Sequence, residues 1–501
     1  MSPFRHIVIV GGGTAGWMTA AALANAFRGS LAKITLIESD EIGTIGVGEA
    51  TIPSILQFNR MLGIDEADFM RRTQATFKLG IQFEDWGRDG NRYFHPFGTY
   101  GASLNGVAFH QHFNRAAKRG EFTSIDAFAL CAVAAKSGRF QHPSTDPRSV
   151  GSTYAYAYHL DAGLYAQFLR DYAEKRSVVR REGRVQKAVV GEDGQVEAVF
   201  MEAGDRMEGD FFIDCSGFGS LILGQALHVP YEDWSALLPC DRAIAVQTAA
   251  PADPVWPYTR AIAHSAGWQW RIPLQHRCGN GIVYCSAFMD DAQAEMLLRA
   301  SLEGDILTVP RTIHFRTGRR QVFWKANCLA IGLAAGFLEP LESTAIHLIQ
   351  TSIIRFLSLL PVDRLSPRPA DMFNRLTARE YAQVRDFLMV HYLANSREGE
   401  LFWDHCRRIR LSPETEERID LWRESGRLLI GDELFKELSW VALLLGQDIV
   451  PDGHDPLAAT CSGEDALRAL TDMRRITADF ASAMPTHDAY LADFMAERRT
   501  A

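Results

Sequence analysis

Runs of apolar and polar residues divide the N-terminal part of the chain into short predicted elements. Residues 6–10 (HIVIV) predict a buried parallel strand, and residues 33–38 (KITLIE) predict a second one. Between them, residues 14–28 are rich in small apolar side chains and predict a helix. Because a strand, a helix and a strand follow one another, we expect an α/β domain at the start of the chain.

Two later regions show different patterns. Residues 184–216 form short alternating runs separated by Asp193-Gly194 and Gly204-Asp205, which predict turns in a β meander leading into a final strand. From about residue 344 the pattern becomes helical, and no strand signal of comparable strength returns. Helices are expected over residues 344–360, 378–394 and 432–447.

The predicted fold class is therefore α/β, with interleaved β segments in the main body and a mainly helical C-terminal region. We expect the body to span residues 1–360, with inserted β segments at about 80–150 and 230–310, and the helical region to span 361–501. A prior of ~150 residues per domain would suggest about three units, and one large α/β core with a helical addition fits the length equally well.

Composition and charge narrow the function classes. The 501 residues are 47% hydrophobic and 23% charged, which is ordinary for a globular protein and excludes disordered and fibrous classes. Lysine and arginine total 52 against 61 acidic residues, for a net charge of -9. This balance argues against nucleic acid or an anionic membrane as the main partner, so small-molecule chemistry is the default expectation.

The cysteines and the apolar N-terminal segment bear on the cellular compartment of the protein. The eight cysteines include no C-x-x-C pair and lie mostly in apolar stretches, which indicates reduced thiols in a cytoplasmic protein and neither a metal site nor a disulfide framework. Residues 6–27 resemble a signal peptide, with Ala24-Asn25-Ala26 as a small-residue site, but Gly11-Gly12-Gly13 would interrupt its apolar helix. Elsewhere the longest apolar run, Cys328–Leu338, is far shorter than the ~18 residues typical of a membrane span. We expect a soluble, uncleaved chain.

A glycine fingerprint follows the first predicted strand. Gly11-x-Gly13-x-x-Gly16 opens the helix, and Glu38 ends the next strand. Glycines permit a tight turn and close approach of a pyrophosphate, the helix N-terminus offers N–H donors, and the acidic residue can accept hydrogen bonds from ribose hydroxyls. The pattern predicts dinucleotide binding, the alternative being a glycine-rich turn without a ligand. It does not separate FAD from NAD.

Another segment bears on that choice. The meander leads into an apolar strand that ends in Asp214-x-Ser216-Gly217, an arrangement similar to the second flavin-contacting segment of two-domain flavoproteins. This similarity favours FAD.

Residues 328–345 place a glycine-rich apolar strand and a turn before a helix that Ser343 or Thr344 can cap. The N–H groups of Thr344 and Ala345 would then form an anion site at the positive end of that helix. Glu342 stands immediately before them. From spacing alone, Glu342 and Ser343 are more often an ordinary capping cluster than a catalytic pair.

Two other segments have structural alternatives as well. Lys78 would share one face of a strand with Gly80, Gln82 and Glu84, and most lysines so placed only face solvent. Trp268 and Trp270 lie in GWQWRIPL, a dense aromatic strand that usually supplies large anchors to a core.

Five segments in fixed order nevertheless resemble the flavin-dependent tryptophan halogenase family, over residues 6 to about 456. The segments are GGGTAGWMTA (11–20), IGVGEATIP (45–53), FKLGI (77–81), WQWRIP (268–273) and GFLEPLEST (336–344). The resemblance implies an FAD-binding, Rossmann-like body similar to that of the aromatic hydroxylases, with substrate-facing β insertions and a substrate-side helical region.

The resemblance also implies the reaction. A separate NADH-dependent flavin reductase would supply FADH2, and dioxygen with chloride or bromide would give hypohalous acid, which passes to Lys78 beside an aromatic substrate. Glu342 would orient the oxidant or stabilise the cationic ring and help remove its proton, with Ser343 beside it. The halide would be held by the N–H groups of Thr344 and Ala345. Family members usually have glycine at the position of Ala345. This difference leaves open how closely the halide fits and whether chloride or bromide is preferred.

The remaining matched positions concern the cofactor, the substrate and the barrier between them. The residues that would contact FAD are Gly11, Gly13, Thr14, Ala15, Gly16, Glu38, Val47, Gly48, Ala50, Gly217 and Gly332. Those that would separate flavin from substrate are Trp268, Trp270, Ile272 and Pro273. Aromatic substrate walls would be His95, Phe97 and Trp440.

One feature of the best-known family members is missing from this chain, and its absence bears on the substrate. The tyrosine pair and glutamate by which the best-known members grip the charged ends of free tryptophan have no counterpart upstream of Trp440, where the chain reads GRLLIGDELFKEL. Indole, a substituted indole or an indole within a larger molecule is therefore expected over free tryptophan.

Two rival classes share the flavin. A flavin monooxygenase would carry GDAAH where this chain has GLAAG (332–336), with Leu333 in place of the aspartate, and a second nucleotide fingerprint for NAD(P)H is not evident. A flavin-binding protein without turnover is disfavoured by the presence of both Lys78 and Glu342. Nucleic acid and membrane partners are not expected, and the sequence leaves open whether the chain forms a homodimer.

Overall fold

The computed structural model describes residues 4–41, 48–250, 254–361 and 366–497. In chain order the strands are β1 (His6–Val10), β2 (Lys33–Glu38), β3 (Gly48–Ala50), β4 (Thr76–Lys78), β5 (Gly80–Glu84), β6 (Arg92–Pro96), β7 (Ala157–Asp161), β8 (Val179–Glu182), β9 (Val185–Val190), β10 (Val196–Met201), β11 (Arg206–Glu208), β12 (Phe211–Asp214), β13 (Tyr231–Asp233), β14 (Arg242–Ala249), β15 (Thr259–His264), β16 (Gly267–Pro273), β17 (Arg277–Tyr284), β18 (Arg311–His314), β19 (Gly318–Arg320), β20 (Trp324–Lys325), β21 (Cys328–Ala330) and β22 (Gly336–Phe337). The helices are α1 (Thr14–Ala26), α2 (Ser54–Leu62), α3 (Glu66–Thr73), α4 (Phe109–Ala117), α5 (Leu130–Lys136), α6 (Ala162–Glu174), α7 (Asp291–Ser301), α8 (Ala345–Ser358), α9 (Arg368–Leu393), α10 (Leu401–Cys406), α11 (Pro413–Ser425), α12 (Glu437–Gly446), α13 (Gly463–Ala483) and α14 (His487–Glu497).

The chain folds into two compact units, each made of three separate segments. Unit 1 contains residues up to 75, 160–236 and 314–382. Unit 2 contains residues 76–159, 237–313 and those from 383 onward.

Unit 1 is built on a six-stranded sheet in the order β20-β21-β12-β1-β2-β8. The pairs among β21, β12, β1, β2 and β8 are all parallel, and β20 adds an antiparallel edge. Helix α1 packs against α6 and α8, and its small residues allow that close packing. The predicted strand–helix–strand start is confirmed, because β1, α1 and β2 follow one another and β1 and β2 pair in parallel.

The predicted meander is also present in unit 1. Strands β9, β10 and β11 form a three-stranded antiparallel sheet, and the chain then enters the large sheet as β12. The meander therefore delivers the end of β12, with Asp214, to the carboxyl edge of the parallel sheet beside β1. In such sheets ligands bind at that edge.

Unit 2 is built on a sheet in the order β18-β14-β17-β16-β15-β5-β6. Strand β5 pairs in parallel with β15 and antiparallel with β6, while β14, β17, β16 and β15 form an antiparallel series. The short strand β4 lies outside this sheet and pairs with the β7 segment Ala157–His159.

The C-terminal part is helical as expected, and within the described residues no strand follows β22. Two helix boundaries were wrong. The helix expected over 378–394 is part of the longer α9, which begins at Arg368. The helix expected over 432–447 begins only at Glu437, because Lys436 has extended backbone angles. All eight cysteines are buried and none forms a disulfide. None of the helices in the described part of the chain is long and apolar enough to cross a bilayer.

Candidate active site

An open pocket of about 700 Å³ in unit 1 is lined by the first part of the glycine fingerprint, Gly11 to Gly13. Gly11 has φ +110°, and a Cβ there would lie 2.2 Å from the carbonyl oxygen of Cys215. A Cβ on Gly16 would lie 1.9 Å from the carbonyl oxygen of Gly11. Gly13 faces open space, with no atom within 4 Å of an added Cβ. The first and third glycines therefore permit close backbone packing, and the second leaves room for a ligand.

The pocket has charged groups at its rim. The N-cap of α1, Gly13, lines the pocket, so the positive end of the helix dipole lies at the pocket wall. The helix has no side-chain cap and no acidic residue in its first turn to offset that charge. Glu38 accepts a hydrogen bond from Trp17 Nε1 (3.1 Å) and pairs with Arg180. Arg170 also lines the pocket, 3.6 Å from Glu38. These features fit an anionic dinucleotide.

The second predicted flavin segment lines the same pocket. Asp214 is fully buried and its carboxylate accepts hydrogen bonds from the Ser216 hydroxyl and from three backbone N–H groups, those of Ser216, Ile222 and Leu223. This network fixes the turn that brings Ser216 and Gly217 to the pocket wall. Asp214 thus shapes the turn.

Three further cofactor candidates, Gly332, Gly48 and Ala50, lie in unit 1 on two separate elements. Gly332 has φ +71°, and a Cβ there would lie 2.8 Å from Cβ of Ala15, so its backbone approaches α1 closely. Gly48 and Ala50 lie on β3, whereas Val47 lies outside the described residues. Glu49 lies between Gly48 and Ala50 on β3 and was missed by the sequence reasoning. Burial raises the pKa of its carboxyl group to about 7.

The turn before α8 carries the predicted catalytic glutamate. Glu342 ends a short 3-10 turn and is 1% exposed, and Ser343 has φ +59°, a left-handed conformation. The prediction that Ser343 or Thr344 caps α8 through its side chain was wrong, since the helix has no side-chain cap bond. The reason is conformational: a capping residue needs extended angles, while Ser343 is left-handed and Thr344 is already helical.

Thr344 and Ala345 stand at the N-terminus of α8. Thr344 is fully buried, and its hydroxyl has no hydrogen-bond partner among the described residues. A buried unpaired hydroxyl is costly. Together with the helix dipole, it makes this terminus suitable for an anion.

In unit 2, Lys78 is buried and does not face solvent, although most lysines in such a pattern do. The expected single strand over 77–84 is broken at Leu79, whose N–H donates to the carbonyl of Pro257 at 2.8 Å. Lys78 therefore ends β4, opposite Ala157, with its Nζ 5.1 Å from the ring centre of Phe97. Lys78 and the predicted substrate residue Phe97 are thus brought together.

The other two predicted substrate residues belong to one aromatic cluster. The ring of Phe387 lies 6.0 Å from that of His95 and 5.1 Å from that of Trp440. Phe435 stacks on Phe387 at 3.8 Å. The Arg418 guanidinium lies 4.6 Å from the Trp440 ring and is bound by Glu433. We call His95, Phe387, Phe435 and Trp440 the aromatic cluster.

The predicted barrier residues lie together on β16. Trp268 and Trp270 share one strand face, with ring centres 6.2 Å apart. A Cβ on Gly281 of the neighbouring strand β17 would lie 2.1 Å from the Trp270 ring, so only glycine leaves room for it. Trp268 also contacts Trp86 at 6.3 Å, which makes it part of the core of unit 2. Ile272 and Pro273 complete the strand, whose proline ends it as expected.

Comparison with known proteins gives the family. A family model described as tryptophan halogenase matches residues 6–463. Tryptophan 6-halogenase SttH of Streptomyces toxytricini is 34% identical, with 97% of each chain covered. The chain belongs to the tryptophan halogenase family. It is a flavin-dependent enzyme, an oxidoreductase.

Solved structures of halogenases agree. BrvH, a flavin-dependent halogenase from Brevundimonas sp. BAL3, is 46% identical with a TM-score of 0.94, and covers 98% of this chain and 99% of its own. Xcc4156 from Xanthomonas campestris, also a flavin-dependent halogenase, is 44% identical with a TM-score of 0.94, over 98% of both chains. The monooxygenase alternative is not favoured, because these relatives are halogenases.

Several residues of this halogenase's sites escaped the sequence reasoning. Arg170 in unit 1 and Gly281 in unit 2 lie in no motif that the sequence singled out, and Glu49 and Phe435 lie in quoted segments, 45–53 and 426–438, in which neither residue was assigned a role. Gly281 could have been suspected as a glycine within a strand opposite two tryptophans. The others depend on contacts between distant parts of the chain.

Proposed function

We propose that this halogenase transfers chlorine or bromine to an indole-type ring, and that Lys78 presents the electrophilic halogen. The observation that carries the proposal is the complete burial of Lys78 beside Phe97. Full burial of a lysine is rare, because removal of its ammonium group from water is costly.

FAD is the group that fits the pocket of unit 1. Its pyrophosphate would lie at Gly13 and the first N–H groups of α1, Glu38 would accept from the ribose, and Gly217 and Gly332 would allow close backbone approach. The positive end of α1 and Arg170 suit its negative charge. When bound in the reduced form, supplied by a separate reductase, FAD would give dioxygen two of the four electrons that it takes up, and the halide would give the other two as it is oxidised to hypohalous acid.

The N-terminus of α8 is proposed to hold the halide. The N–H groups of Thr344 and Ala345 and the unpaired hydroxyl of Thr344 are three donors, and an anion is the partner that donors at a positive helix end require. Ala345 is the first residue of the helix and is helical, so alanine adopts the necessary backbone angles without strain.

Lys78 can act on hypohalous acid in two ways. Its ammonium can donate a hydrogen bond to the acid, or its neutral amine can take up the halogen and release water. In the second route, the ring then gains the halogen from nitrogen and loses a proton, and the amine is restored. Glu342 is proposed to stabilise the cationic ring and to accept that proton.

The test of this proposal replaces Lys78 with alanine. We expect Lys78→Ala to lose halogenated product while FAD still binds and NADH is still consumed through the reductase. Lys78→Arg should fail too, because a guanidinium cannot be halogenated as an amine can and donates differently. Products are measured by mass for the halogen isotope pattern, with indole as substrate.

The matched control is Lys187→Ala. Lys187 is an exposed strand lysine that also lies near a phenylalanine ring, 5.6 Å from the centre of Phe200. It should keep full activity. Product from Lys78→Ala at the wild-type rate would overturn the role of Lys78.

A further inference from the structure

The strand that carries Lys78 is short and has little support from its sheet neighbours. Strand β4 has three residues and pairs with β7 on one side. On the other side, the N–H of Phe77 donates to a side chain, His487 Nε2, at 3.3 Å. So short a strand is held by few backbone bonds, and the side chains bonded to it contribute much of its support.

His159 supports the first flank of β4. It lies on β7 directly opposite Thr76, and its Nδ1 is 3.1 Å from the Thr76 hydroxyl. That hydroxyl donates its hydrogen to the carbonyl of Pro273 at 2.8 Å, so it must accept from Nδ1–H of His159. His159 Nε2 then accepts from the hydroxyl of Thr259, 3.0 Å away. The tautomer of His159 is thereby fixed.

The chain of bonds through His159 joins three strands. It runs from Thr259 on β15 through His159 on β7 to Thr76 on β4, and ends at Pro273, the last residue of β16. Thr76 and Lys78 are two residues apart and share a strand face. The position of Lys78 is therefore coupled to the end of the strand that carries the two tryptophans.

His487 supports the second flank. It begins α14, and its Nδ1–H donates to the carbonyl of Val255 at 2.6 Å. Its Nε2 is left with a lone pair, which accepts from the N–H of Phe77. Both ring nitrogens are used, in one tautomer only.

Both histidines are fully buried, and burial lowers the pKa of each below its ordinary value. For His159 the charge of Lys78 adds to this effect, because two cations so close together repel. Neither ring then adds a positive charge beside the lysine, and each keeps the lone pair that its hydrogen bonds need.

We propose that His159 and His487 are positioning residues, which fix β4 from its two flanks and so hold the amine of Lys78 where it acts. The inference rests on the proposed role of Lys78. It assigns no chemical step to either histidine: each acts through one hydrogen bond to β4, from His159 Nδ1–H to Thr76 and from Phe77 N–H to His487 Nε2.

The test uses the different reach of asparagine and glutamine. The amide of asparagine can occupy the place of Nδ1, and that of glutamine the place of Nε2. His159→Asn therefore keeps the bond to β4 and His159→Gln loses it. At position 487 the order reverses, since His487→Gln keeps the bond to Phe77 and His487→Asn loses it.

The main measurement is coupling, the halogenated indole formed per dioxygen consumed. We expect coupling to fall by about tenfold or more in His159→Gln and His487→Asn, since small displacements of a reacting group cost large factors in rate. The partner variants, His159→Asn and His487→Gln, should retain coupling close to wild type. A merely structural role would give equal coupling in both members of each pair, whatever their melting temperatures, and that result would overturn the inference.

A second measurement needs no turnover. Amide hydrogen exchange of the Phe77 N–H in the free protein should be faster in His487→Asn than in His487→Gln or wild type. Equal exchange in the two variants would contradict the bond on the second flank. If the His159 variants do not fold, Thr76→Val against Thr76→Ser makes the same comparison, with the serine variant retaining the bond and the coupling.

Lys78→Ala, measured in parallel, separates the two proposals. If it keeps its product, the proposed function is overturned and the positioning role with it. If it loses its product while the asparagine and glutamine variants of each pair behave alike, only the positioning role is overturned.

Discussion

Burial distinguishes the two ionisable residues proposed to act in this halogenase from the surface charges around them. Lys78 is 0% exposed and Glu342 is 1% exposed. Each directly precedes a backbone irregularity: Lys78 ends β4 just before the break at Leu79, and Glu342 precedes the left-handed Ser343. A left-handed serine costs of order 1 kcal/mol and persists only where the surroundings enforce it, as at functional turns.

Glu342→Gln tests the carboxylate without a change of shape. We expect turnover to fall by about 10²-fold, a scale typical of the loss of one charged contact or proton acceptor in the transition state. The KM for indole should change little. Steady-state rates over a range of indole concentrations separate the two effects, with the exposed Glu464→Gln as control. A raised KM with unchanged turnover would assign Glu342 to substrate binding.

Glu49 predicts a dependence of stability on pH. Burial raises its pKa from 4.5 to about 7, so the fold favours the protonated form. The preference of the fold for the protonated carboxyl stabilises the folded protein. This stabilisation is fully present below the unfolded pKa and is lost as pH rises through about 7, the pKa in the folded state. Glutamine remains neutral, so Glu49→Gln should melt progressively higher than wild type as the buffer is changed from about pH 5 to about pH 8. Melting curves of the two proteins without FAD provide the test, and a constant difference across that range would refute it.

At the scale of elements, the sequence predicted the helices and strands whose formation depends on residues within a single segment. The strand–helix–strand start, the meander and the helical C-terminus follow from periodicity within each segment. The α8 cap was wrong because its geometry depends on how the preceding 3-10 turn ends at Ser343.

The burial of Lys78 could not be read from its own strand. Alternation shows which residues share a face, and what covers that face is decided elsewhere in the chain. The residues that hold β4 are His159, 83 positions from its partner Thr76, and His487, 410 positions from its partner Phe77. The family resemblance singled out Lys78, but not these supports.

The N-terminus of α8 gives a prediction about the halide. Thr344→Val keeps the shape of the side chain and removes its unpaired hydroxyl. If that hydroxyl donates to a halide ion, its loss should raise the KM for bromide by about tenfold, the scale of one hydrogen bond to a charged group. FAD affinity should be unchanged, and Thr344→Ser, which retains the hydroxyl, is the matched control. A stable Thr344→Val enzyme with the wild-type KM for bromide would show that the backbone alone holds the ion.

At the scale of the whole molecule, the aromatic cluster bears on the proposed substrate. In unit 2, Phe387 and Phe435 join His95 and Trp440 into an apolar wall. The nearby charges of Arg418 and Glu433 are bound to each other. If this wall binds the substrate, as proposed, a free amino acid would bring an ammonium and a carboxylate to it, and both would lose water without gaining evident partners among the described residues.

We therefore predict that indole is halogenated more readily than free tryptophan, and with bromide more readily than with chloride. Transfer of two charged groups from water to sites without partners costs several kcal/mol, whereas indole carries no such groups. Bromide is easier to oxidise and less strongly hydrated than chloride, and Ala345 stands at the proposed halide position, where the family resemblance implies glycine. Competition between equal concentrations of indole and tryptophan, first in chloride and then in bromide, measures both preferences in one assay. Lys78→Ala provides the blank for halogenation by oxidant released into solution, which would not discriminate in the same way. If chlorinated tryptophan dominates, the chain contains a clamp for the amino acid, and the search for it would begin among the helical residues 395–450 around Trp440.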